Sequence, residues 1–278
     1  MRIGILKAPF DPITASELRA ALTFQRQGSF GFVFLMTEGE AVLPETERIH
    51  LLNLALLPYR KLASGTRSTL NDLLQSKDTA IAELDASEEA EVRSGIFRKA
   101  APGTQRALIE QNAYLNEMVE VRCTSHRASH SRSVAETART IAEANHLNAQ
   151  LAWKAGMLHD ITKKWSDEEA QKLLSVYDPE KLSYSPKIWH SWTAPIWLRE
   201  EMGLHDHAIL SAIHHHTLGD GSAPLDMILY IADKIEPTRG YDSTKELALS
   251  CENLKAGFDL VKAESLEYLK GHGTKVSE

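Results

Sequence analysis

Beyond residue 120 the apolar stripes of successive helix-like segments carry histidines and aspartates, and this pattern constrains the fold more than anything else in the chain. A helix that buries one stripe must turn whatever lies on that stripe toward the core. In "HSRSVAETARTIAEA", His130 precedes Val134, Ala138 and Ile141 by four, eight and eleven residues. In "WKAGMLHDITKKW", His159 follows Ala152 and Ala155 by seven and four, and Asp160 is its neighbour. His190 aligns with Ala194, Trp197 and Leu198, while His216 continues Ile209, Ala212 and Ile213. Asp233 lies four residues beyond Leu229 and beside the stripe of Leu225, Ile228 and Ala232. Four histidines and two aspartates are therefore expected to face one helical core.

Any one of them alone reads best as a hydrogen-bonded core residue. Together they do not, because burying several imidazoles and two carboxylates without partners costs several kcal/mol each. No matching set of buried arginines or lysines is evident to neutralise them, so the spacing predicts bound cations. Imidazole and carboxylate without thiolate suit iron, manganese, nickel or zinc better than magnesium. Six ligands exceed what a single open catalytic ion needs, so two ions are expected. Successive residues at a helix end project about a third of a turn apart, which lets His159 bind one ion while Asp160 bridges both.

The chain has 278 residues, 43% of them hydrophobic, enough for one large domain or two ordinary ones. A formal net charge of −7 without a long basic run argues against a nucleic-acid partner. Two cysteines, Cys123 and Cys251, make neither a disulfide framework nor a thiolate site, so a reducing cytoplasm is expected. The opening "MRIGILKAPFDP" resembles neither a signal peptide nor a membrane span. "RIGIL" and "GFVFLM" read as buried parallel strands flanking the helix "ASELRAALTFQRQ", a β-α-β unit, and "ETERIHLLNLALL" as a second helix ended by Pro58. From about 62 to 120 the pattern is polar and mostly helical, without an evident strand. The periodicity breaks at "EVRCTSHRASHSR", which places a boundary near 120: an α/β domain over 1–120, then an all-α domain over 121–278.

With the ligand candidates in place, the second domain resembles the HD-domain phosphohydrolases, whose ligand order is His, His-Asp, Asp. "RASHSRSVAETA", "AGMLHDITKK", "WHSWTAPIWLREEMG" and "AIHHHTLGDGSAPLDMILYIADKIEPTR" are similar to the YqeK-type branch, symmetrical dinucleoside tetraphosphate hydrolases with a dinuclear iron site. The resemblance spans about 122 to 243. It implies His130, His159, Asp160, His190, His216 and Asp233 as metal ligands, the same six as the spacing. It also implies nucleotide contacts by Arg127, Lys163, Thr217 and Arg239. His214 and His215, where the family often has an arginine and an aromatic, read as flanking residues.

The first domain resembles a truncated, degenerate nicotinate-mononucleotide adenylyltransferase with a Rossmann-type fold. After "FDP" that family keeps two histidines; here their positions hold Thr14 and Glu17, and Lys7 and Ala8 replace its glycines. A carboxylate where triphosphate charge would gather should abolish adenylyl transfer, so 1–120 is expected to be inactive. The resemblances together imply a phosphoanhydride hydrolase that cleaves diadenosine tetraphosphate to two ADP. Two ions, iron first and manganese, nickel or zinc as alternatives, would be bridged by Asp160, with Lys163 meeting leaving-group charge. The competing expectations are an HD phosphohydrolase for a nucleoside monophosphate, deoxynucleoside triphosphate or cyclic nucleotide, and a non-catalytic nucleotide sensor. The expected partner is a small nucleotide, with no membrane contact. A truncated first domain also points toward a homodimer that covers its core.

Overall fold

The computed structural model describes residues 2–271. Residues up to 118, with 200–203, cluster into one unit, and those from 119 onward, apart from 200–203, into a second. The order is the expected one, an α/β unit followed by a wholly helical one.

The first unit is built on a parallel sheet of order β3-β2-β1-β4. Its strands are β1 (Ile3–Ala8), β2 (Phe32–Thr37), β3 (Leu62–Gly65) and β4 (Thr79–Glu83). Ile3 pairs with Phe32 on one side and Thr79 on the other. The helices are α1 (Ala15–Gln27), α2 (Glu45–Leu56), α3 (Asn71–Leu74), α4 (Glu89–Arg93) and α5 (Gln105–Glu110). Leu6, Phe10, Ile13, Leu18, Val33, Leu35 and Leu52 form the main core cluster. Order 3-2-1-4 is the first part of a doubly wound sheet, and its strand order reverses between β1 and β4.

Two strands therefore lie in the segment from 62 to 120, which the sequence pattern assigned to helix. Both are sheet edges. A central parallel strand is covered on both faces and needs an unbroken apolar run, as in "IGIL" and "FVFLM". The edges "LASG" and "TAIAE" are only partly covered, and their small and polar residues carry no such run.

α6 (Leu115–Arg122) leads into the helical unit, which continues with α7 (Ser125–Ala144), α8 (Ala149–Leu158), α9 (Asp167–Tyr177), α10 (His190–Trp197), α11 (His207–His215), α12 (Pro224–Ile235), α13 (Thr244–Glu252) and α14 (Leu254–Gly271). Side-chain caps fix several starts: Thr124 accepts from Arg127 N, Asn148 from Leu151 N, and Asp206 from Ala208 N and Ile209 N. α7 and α8 pack closely because Gly156 faces Ala135; a Cβ on Gly156 would stand 2.5 Å from Ala135 Cα. Val134, Ala138, Ile141, Ala152, Ala155, Ile213 and Leu229 are completely buried, which sets the stripe faces inward. Among the described residues, no helix is long and apolar enough to cross a membrane.

Candidate metal centre

Five helices deliver the six residues selected by spacing. His130 comes from α7, His159 and Asp160 from the end of α8, His190 from the start of α10, His216 from the end of α11 and Asp233 from α12. All six are buried. Three imidazoles are locked by their Nδ1 atoms. His159 Nδ1 donates to Gly156 O at 2.7 Å and His216 Nδ1 to Ile213 O at 2.6 Å. Both acceptors are last-turn carbonyls, which have no helical N–H of their own. His130 Nδ1 lies 2.9 Å from Glu236 Oε1, inside the core. Each lock leaves Nε2 pointing into the centre.

The Nε2 atoms then meet in pairs. His130 Nε2 is 3.3 Å from His159 Nε2, and His190 Nε2 is 3.2 Å from His216 Nε2. Asp233 Oδ1 stands 3.1 Å from His130 Nε2 and 3.8 Å from His159 Nε2. Donors about 2.1 Å from one ion sit roughly 3.0–3.4 Å apart at octahedral to tetrahedral angles. The spacing of these atoms suits a cation. Two groups of ligand atoms within 4.8 Å of one another could hold one: His130, His159 and Asp233, and His159, Asp160 and His216. Neither includes His190, although its Nε2 is 3.4 Å from Asp160 Oδ1. His159 belongs to both groups, and the Asp160 carboxylate lies among them, with Oδ2 3.7 Å from His159 Nε2 and 3.9 Å from His130 Nε2 and Oδ1 turned toward His190.

Charge reinforces the donor chemistry. Burial lowers His159 and His190 below the ordinary imidazole value and pushes His216 down to about 4, so these rings are neutral at pH 7 with a lone pair to offer. Burial also acts against His130, but its hydrogen bonds to Asp233 and Glu236 outweigh it and raise that ring. Burial opposes ionisation of Asp160 and Asp233. The surrounding imidazoles and, for Asp233, the Lys234 ammonium reverse that and hold both carboxyls below their usual value.

The carboxylates are nevertheless neutralised, by arginine and lysine side chains that are not buried. Arg127 Nη1 donates to Asp160 Oδ2 at 2.8 Å, while Lys234 Nζ and Arg239 Nη2 donate to Asp233 at 2.7 and 2.8 Å. These side chains reach in from a partly exposed rim, so a stripe count of core residues does not register them. Arg127 is one helical turn before His130, Lys234 adjoins Asp233, and Arg239 follows in a short 3₁₀ turn. Because cations already meet both carboxylates, the case for an ion rests on the converging Nε2 atoms. Lys163 Nζ donates to Lys187 O at 2.7 Å and to His190 Nδ1 at 2.9 Å. Thr217 Oγ1 lies 3.3 Å from His216 Nε2 and shares a hydrogen bond with Ser191 Oγ. His215 pairs with Asp220 and His214 packs near Trp192, both outside the converging set.

Sequence reasoning missed Glu236. The signal was its place three residues after Asp233, but it falls just past the last apolar residue of α12, where the helix has ended. Its carboxylate is fixed by Thr238 N at 2.7 Å and Thr238 Oγ1 at 2.6 Å.

In the first unit, the two positions matching family histidines lie near the strand-order reversal, where nucleotides bind in doubly wound folds. Thr14 and Glu17 are tied into a capping box there: Glu17 Oε2 accepts from Thr14 N at 2.7 Å and Thr14 Oγ1 at 3.0 Å. Glu17 is 2% exposed. Among the described residues, neither Glu17 Oε1 nor Glu89 Oε1 has a donor. Burial raises both carboxyls above the usual carboxylate value, so the pair favours keeping a proton. Burial, with Glu89 beside it, pushes Glu17 up to about 8.

The family model described as HD domain matches residues 127–238. The chain is 30% identical over 195 residues to the probable nicotinate-nucleotide adenylyltransferase/Ap4A hydrolase of Mycoplasma pneumoniae. That match covers 67% of this chain and 55% of the relative, so the chain spans about half the relative's length. It is 32% identical over 136 residues to the symmetrical bis(5'-nucleosyl)-tetraphosphatase of Bacillus subtilis, 47% of this chain and 73% of that protein. A solved structure described as a predicted HD superfamily hydrolase involved in NAD metabolism, from Clostridium acetobutylicum, shares the fold. It has TM-score 0.54 at 24% identity and covers 59% of this chain and 89% of that one.

Proposed function

The chain belongs to the HD-domain family that includes the symmetrical bis(5'-nucleosyl)-tetraphosphatases, and on that premise we propose that it hydrolyses dinucleoside polyphosphates, cleaving diadenosine tetraphosphate into two ADP. The observation that carries the reading is the convergence of four imidazole Nε2 atoms and two carboxylates in one buried centre. His130, His159 and Asp233 would hold one ion and His190 and His216 the other, with Asp160 between them. The ions, iron first among candidates that include manganese, nickel and zinc, would polarise phosphoryl oxygens and lower the pKa of water. Glu236 orients His130 and keeps its Nε2 available.

The rim cations bind the substrate. Arg127 and Arg239, which now neutralise Asp160 and Asp233, lie where polyphosphate oxygens would compete for them. Lys163 sits against His190 and is placed to meet charge on the departing ADP. Thr217 offers a hydroxyl beside His216. The first unit, 1–120 in the sequence division, is read as an inactive nucleotidyltransferase remnant. Glu17 in the first turn of α1, with Glu89 at the start of α4, brings carboxyl groups where a triphosphate would be repelled.

Elemental analysis of the purified protein, coupled to chromatography of the products from diadenosine tetraphosphate, tests the reading. Bound transition metal and ADP as the sole product are expected. AMP with ATP, or released phosphate, would overturn the substrate assignment. Metal content unchanged when His130, Asp160 and Asp233 are replaced together would overturn the site.

A further inference from the structure

Beside the centre the helical unit has a cleft of about 360 Å³. Lys163 and His190, which adjoin the centre, line it together with Trp165, Asp167, Lys187 and Trp189. The volume falls in the range of small-ligand sites. Its wall is firm on one side: Trp189 is buried and its Nε1 donates to Lys181 O and Tyr184 O, both at 3.1 Å. Trp165 is only half-buried, in the turn after Lys163, where its N–H is tied to Thr162 O at 3.0 Å. A large aromatic left half in water at the lip of a cleft is placed to receive a flat partner. Asp167, the first residue of α9, is exposed and brings an acceptor to the same lip.

We propose that this cleft is a nucleoside subsite, in which Trp165 stacks on a purine base and Asp167 accepts a hydrogen bond from the base's amino group. The assignment rests on the polyphosphate reading of the centre: phosphates at the buried ligands put the adjoining nucleoside on the Lys163 side, where the cleft begins. A purine fits the site better than a peptide or an acyl chain. The opening joins one aromatic face to one carboxylate acceptor, and Lys163 in its lining adds an ammonium suited to the first phosphate. Base stacking on an aromatic side chain is sequence-tolerant and substantial. Asp167 adds selectivity, because an amino-bearing purine satisfies it whereas hypoxanthine presents a carbonyl oxygen to a carboxylate. Trp165 and Asp167 are thus specificity-determining residues, distinct from the metal-facing set.

Calorimetric titration of the metal-loaded full chain with ADP, IDP and inorganic pyrophosphate tests this, using Trp165→Ala and Asp167→Asn. Both positions are partly or fully exposed, and circular dichroism of each variant verifies folding. Trp165→Ala should weaken ADP roughly tenfold or more and leave pyrophosphate unchanged, with a matching rise in KM and little change in kcat. Asp167→Asn should shrink the preference for ADP over IDP. ADP affinity equal to wild type in Trp165→Ala, or equal losses for ADP and pyrophosphate, would overturn the subsite. If ADP binding depends on Trp165 but no dinucleoside polyphosphate is hydrolysed, the subsite stands and the proposed reaction fails. If hydrolysis proceeds and is indifferent to both substitutions, the reaction stands and the subsite fails.

Discussion

Replacing Glu17 by glutamine should stabilise the first unit, and the gain should grow with pH. Glu17 titrates near 4.5 when unfolded and near 8 in the buried pair with Glu89. Below about pH 4.5 the carboxyl is protonated in both states and contributes no difference. Between 4.5 and 8 the unfolded chain releases the proton while the folded chain keeps it, so stability falls as pH rises and levels off above 8. The cost is on the order of 3 kcal/mol at pH 7 and 4–5 kcal/mol above pH 8. Glutamine removes the titration and keeps the contacts. Its carbonyl can replace Oε2 as acceptor from Thr14 N and Oγ1, and its amide can donate to the unsatisfied Glu89 Oε1. Because the chain has two units, a single melting curve mixes them. Hydrogen exchange by mass spectrometry on peptides from residues 2–118 reports the first unit alone. Opening free energies of Glu17→Gln and wild type should separate progressively from pH 5 to 8. A difference that is constant across that range, or a variant less stable at pH 8, would refute the account of a proton retained on Glu17.

Three further outcomes follow from the helical unit. Glu236→Gln should weaken metal binding roughly tenfold or more in chelator competition while leaving the circular dichroism intact, since its carboxylate orients His130 from outside the ligand set. Asp160→Asn should lower bound metal and abolish turnover of diadenosine tetraphosphate; retention of both full metal content and activity would show that no ion depends on it. Gly156→Ala forces a methyl to within 2.5 Å of Ala135 Cα and 2.7 Å of Ala135 N, backbone that cannot step aside cheaply. It should destabilise the helical unit by about 1–3 kcal/mol, read as a lower thermal midpoint in near-ultraviolet dichroism.

What the sequence revealed, and what it hid, follows from how far each residue's direction is set by its neighbours. Periodicity decides which way a side chain leaves its helix, and His130, His159, His190, His216, Asp160 and Asp233 are all buried together. Periodicity says nothing about reach. Arg127, Lys234 and Arg239 start at the rim and bend to the carboxylates through flexible stems, so the charge balance of the centre was misjudged. Glu236 was hidden because it follows the last helical residue, where the 3.6-residue rule lapses. The edge strands β3 and β4 were hidden for a related reason. Pairing on one side only leaves their residues free of the apolar run that marks β1 and β2. The cleft at Trp165 draws on the turn between α8 and α9, on α9 and α10, and on the turns between those two helices, segments that no local pattern joins.

The rings of His159 and His216 are held by carbonyls of their own helices, at Gly156 and Ile213. Their aim therefore lasts only as long as the final turns of α8 and α11 stay wound. Fraying of either terminus would release an imidazole to rotate without moving any helix axis. The residence time of a bound ion becomes a clock for that unwinding, and mutations that tighten those two last turns should slow metal release even when they touch no ligand.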